Sequence, residues 1–185
     1  IVDATTLTEA GYVYIGMDHF ARPEDELAIA QREGSLYRNF QGYSTHASCD
    51  MIGMGVTAIG SIGNSFSQNV RTEDQYYEAL DQQHLPLLRG YELNADDLLR
   101  REVISQLICH FRLEFAAIER QFDIAFFDYF ADELEALAQM QEDGLLTVSD
   151  RGIEVSPAGM LLIRNICMVF DAYLGQRQQS YSKVI

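Results

Sequence analysis

The stretch LYRNFQGYSTHASCDMIGMGVTAIGSIG, residues 36–63, decides how the first half of this chain folds. It is crowded with glycine and aromatic residues, too irregular for a helix and too rich in glycine for a plain strand. A backbone with so many glycines, which carry no side chain, is typical of places where a ligand or a second chain segment approaches closely. We therefore expect residues 36–63 to line a binding site or a tight packing contact.

Composition limits what the protein can bind. Its 185 residues suffice for one ordinary domain and part of a second, and 48% of them are hydrophobic, so a core can form. Thirteen Lys and Arg stand against 28 Asp and Glu, which gives a formal net charge of −15. Because this charge repels nucleic acid and anionic lipid, we expect neither nucleic acid nor membrane as a partner. An anionic substrate would require a local basic pocket.

The three cysteines, Cys49, Cys109 and Cys167, are odd in number and far apart. Their spacing predicts neither a disulfide framework nor a zinc site, so a reducing cytoplasm is the expected location. No apolar run approaches the length of a membrane span, and no secretory signal opens the chain. The sequence begins with Ile1 in mid-pattern, which suggests a fragment of a longer protein.

The first half alternates helical and extended patterns, as in an α/β fold. Gly11 and Gly34 are expected to follow helix ends, and Thr72 is an expected helix N-cap. The stretch from residue 36 to residue 63 is expected to be extended. We place a domain boundary near residue 90, which divides the chain into domains 1–90 and 91–185.

The second half is mostly helical and begins with an expected N-cap at Asn94. Single helices are expected over residues 129–144 and 157–174, and the second of these is apolar on nearly every side, which predicts burial. Between them, LLTVSDRGIEVS predicts a β-hairpin around residues 150–152.

Two short patterns have chemical interpretations that the rest of the sequence opposes. Gly53-x-Gly55-x-x-Ala58 matches the loose dinucleotide-binding fingerprint, which requires a helix to begin at its second glycine. The β-branched residues and further glycines within 56–63 favour an extended segment instead. His46-x-x-Cys49 has the spacing of half a metal site, but no second ligand pair follows it, so loop residues are the favoured interpretation.

Two further patterns concern catalysis and DNA. Asp18-His19 follows a predicted strand, where α/β barrels carry catalytic groups, and both an acid–base role and a structural role stay open. Neighbours on an extended chain point in opposite directions, so the two side chains need not share a site.

Helices followed by a hairpin are typical of winged-helix modules, but residues 130–142 carry four acids and no Lys or Arg, which favours a packing module over DNA binding.

Five strings together carry a family resemblance: GMDHFA, RNFQGY, GMGVTAIGSIG, RNICMVFDAYL and the ending YSKVI. They resemble the C-terminal portion of the bacterial oxygen-independent coproporphyrinogen III oxidases, radical S-adenosylmethionine enzymes of haem biosynthesis. The resemblance covers essentially the whole chain. RNFQGY and RNICM-x-FD-x-YL separate this family from haem-chaperone-like relatives, which share the G-x-G segment but not these two strings.

The resemblance implies a fold and an activity for the full enzyme. Residues 1–90 would be the last strands and helices of a partial (β/α) barrel, and residues 91–185 a mostly helical domain with a small winged-helix-like hairpin. The enzyme would convert two propionates of coproporphyrinogen III to vinyl groups with loss of carbon dioxide, giving protoporphyrinogen IX. It would use S-adenosylmethionine, a 4Fe-4S cluster on a C-x-x-x-C-x-x-C motif, and an electron donor to that cluster.

This chain lacks C-x-x-x-C-x-x-C, so the cluster ligands would lie outside it. We expect no catalytic residue and no protein-held metal within these residues, and no activity from them alone. By resemblance, Ile59 contacts the adenosyl end of S-adenosylmethionine, while Phe40 and Gln41 lie near a second S-adenosylmethionine. Arg22 and Arg38 are candidates for the substrate propionates, with a solvated surface role as the alternative for each. A haem-binding relative and a cluster-free binding module are the competing functions.

Overall fold

The computed structural model describes residues 2–47 and 49–174. They form a mixed α/β structure with two compact units. The first unit combines the segments before residue 46 and after residue 98, and the second is residues 46–98. The string YSKVI lies outside the described residues.

The N-terminal segment of the first unit contains two antiparallel hairpins, each followed or preceded by a helix. Its elements are α1 (Val2–Glu9), β1 (Val13–Gly16), β2 (His19–Ala21), α2 (Glu26–Glu33), β3 (Tyr37–Asn39) and β4 (Gly42–Ser44). The predicted helix end at Gly34 is confirmed, because this residue closes α2 in the left-handed conformation with φ of 75°. Ile15, Ala28 and Leu36 belong to a small hydrophobic cluster beneath these elements.

The second unit is built on a three-stranded antiparallel sheet in the order β5-β6-β7. Its elements are β5 (Ile59–Ile62), β6 (Ser65–Asn69), α3 (Glu73–Asp81) and β7 (Leu87–Glu92). Thr72 caps α3 as predicted, since its hydroxyl accepts a hydrogen bond from the Gln75 amide at 3.4 Å. The chain then enters α4 (Ala95–His110), where the predicted cap at Asn94 accepts from the Asp97 amide at 2.9 Å.

The C-terminal segment of the first unit places short helices around a second three-stranded antiparallel sheet, ordered β8-β10-β9. Its elements are β8 (Arg112–Glu114), α5 (Phe115–Phe122), α6 (Phe126–Tyr129), α7 (Ala131–Ala136), α8 (Ala138–Glu142), β9 (Leu146–Val148), β10 (Gly152–Val155), α9 (Pro157–Leu161) and α10 (Ile163–Met168). The predicted hairpin is confirmed as β9–β10. The third strand, β8, was not predicted.

The larger hydrophobic cluster lies in this segment and is rich in phenylalanine. The rings of Phe115 and Phe126 stack at 4.0 Å, and Phe130 links Phe126 to Phe170. Two glycines permit the close approach of neighbouring backbone: a Cβ at Gly152 would overlap the Leu113 carbonyl, and a Cβ at Gly159 would overlap the Leu145 carbonyl.

Both long helices expected in this segment are interrupted. The helix predicted over residues 129–144 divides into α7 and α8, with Tyr129 as the last residue of α6, and the final helix breaks at Leu162, where φ is −110°. The prediction that the final helix is buried on all sides is wrong, because Leu161, Leu162 and Met168 are exposed.

The mixed α/β class is confirmed, whereas barrel strands are not. Every strand pair in the described residues is antiparallel, and no closed barrel is found among them. Residues 2–47 and 49–174 also contain no helix with both the length and the apolar character needed to cross a membrane.

Candidate functional site

The string RNFQGY folds as the tight hairpin β3–β4. Arg38 pairs with Tyr43 and Asn39 with Gly42, which leaves Phe40 and Gln41 as the two residues of the turn. Gly42 has φ of 137°, a conformation that side-chain-bearing residues rarely adopt, and the Gln41 amide donates to Asn39 Oδ1 at 2.8 Å. The two residues predicted to lie near S-adenosylmethionine are therefore neighbours at one exposed tip, with the Phe40 side chain 56% exposed.

Arg38 lies at the base of the same hairpin, opposite Tyr43. Its Cζ is 4.8 Å from the centre of the Tyr43 ring, a cation–π contact. Its Nη1 is buried and has no hydrogen-bond partner in the described part of the chain. A half-buried arginine with one buried, unsatisfied N–H donor is a position that an anionic acceptor would stabilise.

Tyr43 connects this hairpin to its surroundings. Its hydroxyl donates to the Ile108 carbonyl of α4 at 3.1 Å. Burial raises the pKa of this hydroxyl above its ordinary value, and the nearby charge of Arg38 opposes that rise. The phenol therefore stays neutral at physiological pH, and its ring supports Arg38 on one side.

His19 packs against the same tyrosine, with ring centres 5.2 Å apart in an edge-to-face arrangement. Asp18 lies in the turn between β1 and β2, and its Oδ1 is 2.8 Å from His19 Nδ1. The two neighbours do share a contact, because the chain turns at Asp18 and is not extended there. Asp18 is nevertheless strongly exposed, which resembles an exposed ion pair more than buried acid–base machinery.

Arg22 follows β2 and differs from Arg38 in its surroundings. Its side chain is exposed, and Nη1 lies 4.0 Å from a carboxylate oxygen of Glu24, at the limit of an ion pair. Nothing in this contact requires a further anion, so Arg22 fits the surface alternative better than Arg38 does.

Ile59 belongs to the second unit, where it is the half-buried first residue of β5 and pairs with Gln68. The glycines beside it serve close packing between chain segments. A Cβ at Gly53 would lie 2.8 Å from the Ile59 carbonyl oxygen, and one at Gly60 would lie 3.1 Å from the Met51 carbonyl oxygen. No helix begins at Gly55, as expected, so the dinucleotide interpretation has no structural support.

Two polar residues that sequence reasoning missed hold the loop in front of Ile59. Asn69 is buried, and its Nδ2 donates to the carbonyls of Gly53 at 3.0 Å and Gly55 at 2.8 Å. The Tyr76 hydroxyl accepts from the Gly55 amide at 3.1 Å. No local pattern distinguishes these residues from surface ones, because their partners lie 14 to 21 positions away in the chain.

The cysteines do not fit an iron–sulfur cluster. Cys49 is exposed, whereas Cys109 and Cys167 are buried in α4 and α10. Burial raises the pKa of each of the two buried thiols to about 12, so both thiols are protonated at neutral pH in the metal-free chain. Residues 2–47 and 49–174 contain no group of three His, Cys, Asp or Glu side chains arranged to hold a metal ion.

Residues 93–162 match the family model of the HemN C-terminal domain. Over 94% of its length, the chain also superposes on a solved structure of coproporphyrinogen III oxidase (HemN) from Escherichia coli, described as a radical SAM enzyme, with a TM-score of 0.90 and 54% identity. The chain is therefore similar to the C-terminal portion of the oxygen-independent coproporphyrinogen III oxidases. The superposition covers 40% of the solved chain.

Curated oxygen-independent coproporphyrinogen III oxidases agree with this correspondence. The protein of Escherichia coli is 56% identical over 97% of this chain, and that of Synechocystis is 50% identical over the same share. The match spans 40% of each of these relatives and 56% of a relative from Thermostichus vulcanus. The chain thus spans about two fifths of the length of curated oxidases such as the Escherichia coli protein.

Proposed function

We propose that this chain is the C-terminal part of an enzyme that oxidatively decarboxylates two propionates of coproporphyrinogen III. The products would be two vinyl groups and carbon dioxide, giving protoporphyrinogen IX in haem biosynthesis. The similarity to oxygen-independent coproporphyrinogen III oxidases, at 56% identity over 97% of the chain, is the observation that carries this proposal.

We propose that bound groups, and not side chains of this chain, carry out the radical chemistry. S-adenosylmethionine and a 4Fe-4S cluster would supply it, with the cluster held by cysteines that precede these residues and reduced by an electron donor. Residues 1–90 would complete a partial (β/α) barrel, and residues 91–185 would form a winged-helix-like cover. The match of residues 93–162 to a single family domain supports that boundary, and the cytoplasmic location remains a prediction.

Within this chain, Ile59 would contact the adenosyl end of S-adenosylmethionine, and Phe40 and Gln41 would lie near a second S-adenosylmethionine. An exposed aromatic ring and a neighbouring amide suit stacking and hydrogen bonding to an adenosyl group. The tight turn of β3–β4 fixes Phe40 and Gln41 next to each other, which limits the entropy lost when they order around a ligand. Ile59 would supply an apolar contact to the adenosyl group that it meets.

Arg38 is the stronger of the two candidates for a substrate propionate. Its buried Nη1 lacks an acceptor among the described residues, and a carboxylate would provide one through a charge-assisted hydrogen bond. It would also give an anionic substrate the local positive charge that a protein of net charge −15 otherwise lacks. Arg22 would contribute at most a solvent-screened charge.

An anaerobic turnover assay tests the proposal. The full-length protein, with its cluster reconstituted, should convert coproporphyrinogen III to protoporphyrinogen IX when S-adenosylmethionine and a reductant are supplied. The 185-residue chain is the matched control and should give no product. Absence of product from the reconstituted full-length protein would refute the proposal, and tight haem binding in its place would indicate a haem-chaperone-like relative.

A further inference from the structure

We propose that Asn69 is a positioning residue that holds the loop of residues 53–57 and, through it, the Ile59 end of β5. This inference rests on the proposed function, because the role of Ile59 toward S-adenosylmethionine belongs to that proposal. The inference adds a residue that does not itself contact the cofactor.

The loop leaves the sheet just before Ile59. Met51 and Ser61 exchange two backbone hydrogen bonds of 2.7 Å, and the chain between them bulges outward so far that Met54 is 85% exposed. Gly55 and Thr57 both have positive φ values, 96° and 60°. A backbone of this kind has few ladder bonds of its own and depends on side chains for its shape.

Asn69, the last residue of β6, supplies hydrogen-bond donors to the carbonyls of this loop. The register of β6 against β7 shifts between Gln68 and Asn69, a bulge of the kind that re-aims a side chain. The re-aimed amide group donates to two loop carbonyls, those of Gly53 and Gly55. The backbone of the same residue donates to Ala58 at 2.9 Å, so Asn69 contacts the loop on both sides of its apex.

A displacement of the loop would be transmitted to Ile59 through the close contact between Gly53 and Ile59. The position of a Cβ on Gly53 is 2.8 Å from the Ile59 carbonyl oxygen, so the two backbones are closer than a residue with a side chain at position 53 would permit. A loop that lost its Asn69 bonds and shifted toward β5 would have to move Ile59 with it. Tyr76 reinforces the arrangement from α3 by accepting from the Gly55 amide.

The test uses the full-length protein carrying Asn69→Leu, which keeps the number and branching of the side-chain heavy atoms and removes the donor. We expect the Kd for S-adenosylmethionine to rise about tenfold, with the KM for coproporphyrinogen III unchanged. Backbone amides of residues 53–59 should exchange with solvent faster than in the wild type. Tyr76→Phe should change both readouts in the same direction and by less.

Ser65→Ala is the matched control. Ser65 hydrogen-bonds the Ile62 carbonyl at 2.8 Å, so it supports the opposite end of the same β5–β6 hairpin. The control should leave S-adenosylmethionine affinity unchanged even where it lowers Tm.

Two results would overturn the inference: a Kd within about twofold of the wild type for Asn69→Leu, or an equal loss of affinity in Ser65→Ala at equal loss of Tm. If the wild type itself binds no S-adenosylmethionine, the proposed function fails, and amide exchange in residues 53–59 still decides whether Asn69 positions the loop. If Asn69→Leu does not fold, Tyr76→Phe decides the question with the same readouts.

Discussion

Arg38 has a charge that its surroundings only partly compensate. The Tyr43 ring attracts the guanidinium from one face, yet a buried N–H without an acceptor costs free energy in the isolated chain. A structural arginine usually pairs with a carboxylate, as Arg100 does with Glu133 at 2.7 Å. Because of this difference, we propose that Arg38 contacts a ligand and that Arg100 stabilises the fold.

In the full-length enzyme, Arg38→Gln should therefore raise the KM for coproporphyrinogen III by about tenfold, since a hydrogen bond to a charged group is worth roughly 1.5–3 kcal/mol. Arg22→Gln is the control and should change KM by less than about twofold, because exposed charges are screened. Steady-state kinetics at saturating S-adenosylmethionine measures both. Equal effects of the two substitutions would remove Arg38 from the substrate site.

Helices α4 and α10 each bury a thiol. Cys109 and Cys167 keep their protons in the folded state because burial raises the pKa of each to about 12, against 9.0 for an exposed thiol. The folded state therefore binds more protons than the unfolded state between these two pH values. Stability is complete below pH 9 and falls as pH rises toward 12.

Urea unfolding of the chain should show this loss, at up to about 1.4 kcal/mol per pH unit for each thiol. Compared between about pH 8 and pH 10.5, the double variant Cys109→Ala/Cys167→Ala should lose less stability than the wild type. Cys49→Ala should behave like the wild type, since Cys49 is exposed. A double variant with an undiminished pH slope would show that the buried thiols do not titrate as inferred.

Elements differ in how far the sequence alone predicts them. Helix limits at Gly34, Thr72 and Asn94 were predicted correctly because capping involves residues only a few positions apart. The three-residue strands β2 and β8 have no periodicity to detect and exist only through pairing with β1 and β10. The candidate site shows the same difference. The turn of the β3–β4 hairpin forms within the string RNFQGY itself, whereas the Asn69 side chain hydrogen-bonds the Gly53 carbonyl, which is sixteen positions away in the sequence.

At the scale of the whole molecule, the hydrophobic clusters are unevenly distributed. Neither cluster in the described part of the chain includes a residue from 46–98. In that unit Ile52, Met54 and Leu85 are exposed, and all residues of β7 are exposed. A three-stranded sheet without a clustered core is held mainly by its backbone ladder and by bonds such as those of Asn69, which makes local opening easy.

Hydrogen exchange on the 185-residue chain should reveal this difference. Amides of β5, β6 and β7 should exchange at least about tenfold faster than those in the middle of α4. In the full-length protein the same strands should gain protection, because the missing part of the proposed barrel would cover them. Equal protection of both units in the isolated chain would contradict this account.

The close backbone packing at Gly152 and Gly159 restricts which codon changes the gene can tolerate. Each lies where any Cβ would overlap a neighbouring carbonyl, so the backbone itself has no room to accommodate another residue. A single-base change in the first or second position of a glycine codon always encodes a larger residue or a stop. Natural sequence variation at these two codons should therefore be confined to the silent third base.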